Sequence, residues 1–156
     1  MQSMLRALMP FSSRFKDLYL ALSTPNFSFF HQLSPPSFPT LESLHLHDVD
    51  IPQGVSRFSE SHNKVANLLF STMPALRKLE VKQFFARDQK YLSLPCNWGN
   101  MTSLAIGDGL TSSKALAILA EMPRLQSLSL QITVRNEMSN SVVHLSELRE
   151  MRLEIQ

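Results

Sequence analysis

Two histidines and two acidic residues lie close together near position 45, and all four side chains are of types that bind metal ions. His45 and His47 are separated by one residue, and Asp48 and Asp50 follow them. Side chains two residues apart on a β-strand point to the same face, so both imidazoles would share one face. A metal site needs three or four ligands that converge in a fixed geometry, and a strand guarantees only two of them. We therefore expect no metal here.

Two further features resemble parts of catalytic or phosphate-binding sites. The single cysteine, Cys96, has no base in its sequence neighbourhood, whereas a catalytic thiol needs a partner histidine. Gly107-Asp108-Gly109 follows a predicted strand and precedes a predicted helix, but Ser112 stands where a full G-x-G-x-x-G motif requires its third glycine. We interpret this segment as a tight turn. The sequence thus predicts no catalytic residue and no cofactor, and the protein is not expected to be an enzyme.

A repeated phrase of apolar residues determines which elements position these side chains. The phrase Pro-x-Leu-x-x-Leu-x-(Leu/Val) begins at Pro39, Pro74 and Pro123, and three further copies lack the proline. The first apolar residues of the six copies are Phe15, Leu41, Leu76, Met101, Leu125 and Leu148. Their spacings are 26, 35, 25, 24 and 23 residues, and a longer connection accounts for the second. A unit L-x-x-L-x-L recurring at this scale is the signature of a leucine-rich repeat.

The repeat predicts short parallel strands joined by helical or irregular crossovers. In each copy the fourth and sixth positions, such as Leu44 and Leu46, point to one face of a strand. One strand cannot shield those leucines from water, whereas stacked parallel strands form a continuous apolar core. Parallel neighbours need a crossover connection, which is usually helical. The predicted fold is therefore an α/β leucine-rich repeat solenoid, or horseshoe.

Three crossovers read as helices. The clearest is 111–121, for which Thr111, Ser112 or Ser113 is the candidate N-cap and Pro123 the stop. Its predicted inner face carries Leu116, Leu119 and Ala120. The other two are 61–72 and a short segment from Ser3 to Leu8 that Pro10 is expected to end.

Recurring dipeptides and two proline-containing or irregular stretches complete the predicted layout. Met9-Pro10, Met73-Pro74 and Met122-Pro123 are interpreted as occupying the same place in their units. The stretches 23–39 and 87–100 are predicted loops, the second with Trp98 packed against the stack.

The strand face opposite the leucines is the predicted binding surface, because it lines the concave side of a horseshoe. One row is Lys-Glu-Lys, at 78, 80 and 82, and another is Glu-Arg-Glu, at 150, 152 and 154. Between them, two strands carry small uncharged side chains, which we call the neutral floor. Such a surface suits a polar protein ligand. The candidate partner-binding residues are His45, His47, Lys78, Glu80, Lys82, Ser127, Ser129 and Gln131.

Composition limits the remaining possibilities. The 156 residues predict one domain over 1–156, and 44% hydrophobic with 18% charged residues indicates a folded chain. A net charge of +2 is too small to favour nucleic acid as a partner. No apolar stretch approaches the roughly 18 residues of a membrane span, and no signal peptide is recognisable. With one cysteine and no leader, we expect an intracellular protein, cytoplasmic or nuclear.

The two ends of the chain suggest an incomplete solenoid. The sequence begins inside a predicted helix and stops on a predicted strand, without the polar capping repeats that solenoids usually carry. We therefore expect a fragment of a longer repeat protein. Produced alone, it is predicted to aggregate or to pair through its open strand edge.

Three phrases of the sequence resemble motifs of one group of known proteins. The segment 12–22, SSRFKDLYLAL, resembles their opening "H-S-x-R-W-x-x-L-x-L", although Ser12 and Phe15 depart from the usual residues. The segment 94–104, LPCNWGNMTSL, resembles "L-P-W-x-x-L-T-x-L" with insertions around Trp98. The segment 38–46, FPTLESLHL, resembles "F-P-x-L-x-x-L-x-L". These are motifs of the fungal, mushroom-type F-box proteins, and the likeness covers most of the chain.

The resemblance implies a role in protein degradation. F-box proteins are substrate receptors of cullin–RING ubiquitin ligases: the F-box binds the adaptor subunit and the repeats bind the protein to be ubiquitylated. No F-box is recognisable in this sequence, so adaptor binding by these residues is not expected. The alternative is an intracellular leucine-rich repeat scaffold, or a fragment of an immune-type sensor, with no connection to ubiquitin.

Overall fold

Six parallel strands form one sheet in the order of the chain. The computed structural model describes residues 7–22, 38–49, 73–82, 97–133 and 142–155. Neighbours in sequence are neighbours in the sheet, and all five pairs are parallel. This is a solenoid-like stack. The strands are β1 (Asp17–Leu22), β2 (Ser43–Asp48), β3 (Lys78–Lys82), β4 (Ser103–Thr111), β5 (Ser127–Thr133) and β6 (Glu150–Ile155).

The strand register pairs equivalent positions of the repeated phrase in neighbouring units. Leu44 is paired with Leu18 on one side and with Leu79 on the other, and the same position continues through the remaining strands. The apolar side chains therefore form two continuous rows along the stack, at the fourth and sixth positions of the repeat. Burial of these rows is the main stabilising contribution, since apolar area removed from water contributes about 25 cal/mol per Å². The fully buried side chains include Leu41, Leu44, Leu46, Val81, Met101, Leu104, Met122 and Leu125.

The same turn geometry precedes every strand in the stack. In all six units the N–H of the first apolar residue donates to the carbonyl three residues earlier, as Leu76 donates to Met73 at 3.2 Å. Phe38, Trp98 and Met122 occupy the same carbonyl position in other units, and all three are buried. The prediction that Trp98 packs against the stack is thereby confirmed.

The same geometry corrects the proposed register of the first unit. Ser12, not Met9, is the residue whose carbonyl accepts from the first apolar residue, Phe15. Met9-Pro10 therefore lies three residues ahead of the place that Met73 and Met122 occupy. The described end of the opening helix, Ala7 and Leu8, is α-helical and stops before Pro10, as expected, and a 3-10 helix extends from Met9 to Arg14. Its proline stands at the first helical positions, where a missing N–H costs nothing.

The connection between β4 and β5 contains an α-helix, α1 (Ser112–Ala120), as predicted. Its N-cap is Thr111, one of the three candidates, although no side-chain hydrogen bond caps the helix. The buried face differs from the predicted one. Ala115, Ile118 and Leu119 are buried, whereas Leu116 is half-buried and Ala120 is exposed. The predicted helix 61–72 lies outside the described residues, as do most of the predicted loops and residues 3–6 of the opening helix.

The Gly107–Gly109 segment is not a tight turn, contrary to our expectation. β4 continues through it to Thr111, and the pairing with β5 shifts between Ile106 and Leu110. Such a shift is a β-bulge, in which extra residues in one strand leave the ladder and bend it. After the bulge the strand rejoins β5 and leads directly into α1.

The two edges of the sheet differ in burial. β1 contributes a buried leucine, Leu20, to the core. All side chains described on β6 are exposed. Within the described residues, no helix is long and apolar enough to cross a membrane.

Candidate binding face

The polar rows of the strands form one continuous surface, the strand face, as the sequence predicted. Residues opposite the apolar rows align across the sheet: Tyr19 is paired with His45, and His45 with Glu80. The row continues through Ala105 and Ser129 to Arg152. The structure thus brings together on one face all eight candidate residues, which are His45, His47, Lys78, Glu80, Lys82, Ser127, Ser129 and Gln131.

The densest polar contacts on this face surround Glu80, in the middle of β3. One carboxylate oxygen, Oε2, lies 2.6 Å from His45 Nδ1, and the other, Oε1, lies 2.5 Å from Lys82 Nζ. An ionised carboxylate only accepts hydrogen bonds, so His45 Nδ1 carries the proton in this contact. The ring of Tyr19 lies 6.1 Å from the His45 ring, centroid to centroid, at a tilt of 33°. We call these four residues the Glu80 cluster.

The Glu80 cluster is held by charge-assisted hydrogen bonds. The hydrogen bond from Lys82 lowers the pKa of Glu80 below its ordinary 4.5; burial acts in the opposite direction, and the bond from His45 again lowers it. The bond to Glu80 raises the pKa of Lys82 above its ordinary 10.5. The carboxylate is therefore fixed between a cation and an imidazole, and its negative charge is largely satisfied within the cluster.

Ser43, His45 and Glu80 stand in the order of a serine–histidine–carboxylate relay. Ser43 Oγ lies 3.1 Å from His45 Nε2, and Glu80 lies on the opposite ring nitrogen. Two observations weigh against a nucleophilic role. Ser43 is only 4% exposed, and its backbone N–H and that of Glu42 donate to the carbonyl of Lys16. Neither amide is therefore available to stabilise an oxyanion, which usually supplies the largest part of such catalysis.

The sequence reasoning did not find this relay, although it named two of its members. Glu80 lies 35 residues from His45, in a different repeat. The signal that would have found it is the register: the residue after the fourth position of one repeat faces its equivalent in the next. Applied to β2 and β3, that rule pairs His45 with Glu80.

Lys78 differs from Lys82 in its surroundings. Its side chain is exposed and has no hydrogen bond or ion pair to another described residue. It lies beside Ser43 on one strand and Ser103 on the other. As far as the described residues go, Lys78 is thus a cation available to a ligand. His47, next to Lys82 in the register, already has an interaction of its own.

Small side chains follow on the next two strands. On β4, Ser103 is paired with Ser127 of β5 and Ala105 with Ser129. Gly107 follows them on β4. A Cβ placed on Gly107 would lie 3.5 Å from Lys82 Cγ, an ordinary van der Waals distance. The floor is therefore shallow and neutral beside the charged β3.

The opposite edge of the face has its own charge pair. On β6, Arg152 donates to Glu154 at 2.7 Å, and both side chains are well exposed. Ser127 donates to Glu150 at 3.5 Å, a long contact. The strand face therefore carries an available cation at β3 and a carboxylate excess at β6, separated by the neutral floor of β4 and β5.

The described residues contain no group of three or more histidine, cysteine, aspartate or glutamate side chains placed to hold a metal ion. Asp50 and Cys96, which the sequence reasoning considered, lie outside the described part of the chain. The contacts of His45 lead to Ser43 and Glu80, so its two ring nitrogens are both engaged in hydrogen bonds.

The stack is thus a parallel, solenoid-like arrangement with an open polar strand face. Compared with protein-family models, curated proteins and solved structures, the chain has no match.

Proposed function

We propose that this chain is a protein-binding module of the leucine-rich repeat type whose strand face holds an extended segment of a partner protein. The observation that carries the proposal is the ordered Glu80 cluster beside the available Lys78, followed by a shallow neutral floor. An open face of this kind suits a polypeptide, because its polar groups are spread along the stack and not gathered in one place. A small molecule is usually held in a concave pocket that buries most of its surface.

The charges on the face favour a partner segment with an acidic side chain near one end. Lys78 has no ion pair among the described residues, so an incoming carboxylate would not compete with an internal partner. The Glu80 carboxylate is already satisfied, which leaves Lys82 less available than Lys78. Opposite charges across an interface mainly increase association rate and specificity.

The likeness to fungal F-box proteins supports a more specific proposal, that these are the substrate-recognition repeats of a ubiquitin-ligase receptor. In such a receptor the repeats bind the target and perform no chemistry. The receptor acts by raising the concentration of the target near the ligase. The backbone N–H groups of Glu42 and Ser43 both donate to the Lys16 carbonyl, so neither can stabilise an oxyanion beside Ser43. This agrees with a binding role. A scaffold without any link to ubiquitin remains the competing proposal.

The experiment compares charge reversal on the face with charge reversal elsewhere. The protein is expressed with an affinity tag at its native locus, as wild type and as Lys78→Glu with Lys82→Glu. The control carries Lys16→Glu with Arg124→Glu, which changes the total charge equally at exposed residues outside the polar rows. Captured proteins are quantified by mass spectrometry, and thermal unfolding confirms that each variant folds.

The proposal predicts that a defined set of proteins is lost, at least tenfold, from the face variant alone. If that set is ubiquitylated in cells with the wild type and the control but less so with the face variant, the receptor proposal is supported. Loss of the set without any change in its ubiquitylation favours the scaffold. Equal capture by the face variant and the control would show that the strand face is not the binding surface.

A further inference from the structure

Part of the charge on the strand face is already neutralised by internal pairs. Glu80 is bonded to His45 and Lys82, and on β6 Arg152 donates to Glu154. A ligand that used these groups would first have to break a hydrogen bond. The charges that can select a ligand are therefore the ones that these pairs leave over.

The charges left over lie in one row across the sheet, formed by the first residue of every strand. We call it the first-residue row, and in strand order its members are Asp17, Ser43, Lys78, Ser103, Ser127 and Glu150, each aligned with the next. Its charged members are exposed and have no ion pair among the described residues. Within that part of the chain, Glu150 accepts only the long hydrogen bond from Ser127, at 3.5 Å. Lys78 and Glu150 thus form an opposite pair of charges at the two ends of a serine segment.

The exposure of this row does not depend on an edge of the sheet. Lys78 has a neighbouring strand on both sides and is exposed all the same, because strand side chains stand roughly perpendicular to a sheet. Ser103 and Ser127, also on inner strands, are only half-buried. The Ser103 hydroxyl group has no hydrogen bond to another described residue, so it can bind a ligand. The row is a strip that a ligand can follow from β3 to β6.

The separation of the two charges matches the repeat of an extended peptide. Lys78 and Glu150 are three strand spacings apart, which at about 4.8 Å for each spacing is about 14 Å. An extended peptide rises about 3.3 Å per residue, so residues four apart point to the same side at a distance of about 13 Å. A peptide lying across the strands can therefore place one side chain over Lys78 and another over Glu150. The side chain midway between them would lie above Ser103 and Ser127, which are small enough to leave room for it.

On the basis of the proposed function, we propose that the strand face binds an extended peptide segment with an acidic and a basic residue four positions apart. The acidic residue contacts Lys78, and the basic residue contacts Glu150. Each charge of the peptide meets a group without an ion pair among the described residues, so no internal bond has to break. Either order of the two charges is accepted, because the segment can cross the sheet in either direction. Opposite charges placed in this way mainly increase specificity and association rate.

Asp17, the third charge of the row, is at a distance that does not suit the same segment. It lies two strand spacings from Lys78, which is about 10 Å and corresponds to about three residues of extended chain. Residues three apart point to opposite sides of an extended peptide. Asp17 is therefore expected to contribute little to selection. It is a matched control for Glu150, since it is an exposed carboxylate of the same row outside the predicted spacing.

The experiment selects peptides from a displayed random library on four immobilised proteins. They are wild type, Lys78→Glu with Lys82→Glu, Glu150→Lys, and the control Asp17→Lys, which carries the same charge change as Glu150→Lys. All substituted side chains are exposed, and thermal unfolding verifies that each protein folds. Peptides that wild type retains and the double variant loses are defined as binders of the strand face. Affinities of synthetic copies are measured by fluorescence anisotropy.

We expect the face binders of wild type to carry an acid and a base four residues apart. Glu150→Lys should instead select two acids at that spacing and bind the wild-type peptides about tenfold more weakly, because an attraction becomes a repulsion. Asp17→Lys should select as wild type does.

Three results would overturn the inference and leave the proposed function intact. They are face binders without a base at that spacing, an unchanged selection by Glu150→Lys, and the same shift in selection by Asp17→Lys, which would show that spacing does not matter. If no selected peptide depends on the strand face, the proposed function itself fails, and the inference fails with it.

Discussion

Leu46 and Leu153 occupy the same position of the repeat, the sixth, and differ in the number of strands that cover them. Leu46 lies on β2 between two neighbours and is 1% exposed, whereas Leu153 lies on the edge strand β6 and is 44% exposed. The substitutions Leu46→Ala and Leu153→Ala remove the same atoms. Leu20, at the same position of the other edge strand β1, is 6% exposed, so a difference in the free energy of unfolding reports the extent of burial and not the number of neighbouring strands alone.

The expected magnitudes follow from the burial of the two side chains. Removing three carbon groups from a buried leucine loses about 0.8 kcal/mol for each, and the cavity left behind adds to this. We expect Leu46→Ala to lower the free energy of unfolding by about 3 kcal/mol. Leu153 is little more than half buried and leaves no enclosed cavity, so Leu153→Ala should cost about 1 kcal/mol. The predicted difference is about 2 kcal/mol.

The assay is urea unfolding followed by tryptophan fluorescence. Trp98 is the single tryptophan, and it is buried in the core, so its emission reports on the stack without interference. The measurement is made at the lowest workable protein concentration, so that a second copy does not cover Leu153. The slope of free energy against urea should be the same for both variants, which shows that they expose the same surface on unfolding.

Equal losses for the two variants at low concentration would refute the reasoning. Such a result would mean that the sixth position of β6 is as well covered as that of β2. A loss at Leu153 that grows with protein concentration would instead show that association buries this side chain. In that case the low-concentration value is the one to compare with Leu46.

Two further predictions concern the strand face. Because the folded-state pKa of Glu80 is lowered, its ionised form stabilises the fold above the ordinary pKa of 4.5, and this contribution is lost as the pH falls through the lowered value. Glu80→Gln should therefore have a lower thermal stability than wild type at pH 7, and the difference should shrink in acid. The control Glu154→Gln, in an exposed ion pair, should change thermal stability little at either pH. A persistent difference in strong acid would mean that Glu80 acts through packing and not through charge. Gly107→Ala should fold normally and change the free energy of unfolding by less than about 1 kcal/mol, because the added Cβ meets Lys82 Cγ at an ordinary distance of 3.5 Å; a loss of several kcal/mol in urea unfolding would show that the bulge requires glycine.

The strands and their register could be predicted from the sequence because they depend on one strong periodic signal. The fourth and sixth positions must face the core in every unit, so the identity of Leu44, Leu79 and Leu104 as one row follows directly. The polar rows follow equally, since they are the alternate positions of the same strands.

Local geometry that the repeat does not specify was harder to predict. Met9-Pro10 has the composition of the later Met-Pro pairs, but the turn bond at Ser12 shows that its position differs. The predicted buried face of α1 was right for Leu119 and wrong for Ala120, because helical spacing alone does not determine which face is buried. Ala115 is buried where the larger Leu116 is only half-buried. The glycines of β4 suit a turn and a bulge alike, and pairing with β5 decides between them.

The candidate site was predicted as a surface but not as a set of contacts. The candidate residues lie on one face, as expected, yet the bonds from His45 to Ser43 and Glu80 depend on side-chain geometry across two units. A sequence read unit by unit does not show them. Reading the units aligned, position by position, places His45 beside Glu80 and would have indicated the pair.

The alternation that builds the core also separates the functions of neighbouring residues on each strand. Leu79 and Val81 are buried, while Lys78, Glu80 and Lys82 between and beside them face the polar side. A change of partner can therefore arise through the polar row without loss of the core, except at Glu80, whose bonds join β2 to β3. The edge strand β6 lacks this separation between a buried apolar row and an exposed polar row, because its apolar row is itself exposed. Apolar-to-alanine substitutions there are expected to cost less stability than the same substitutions on an inner strand.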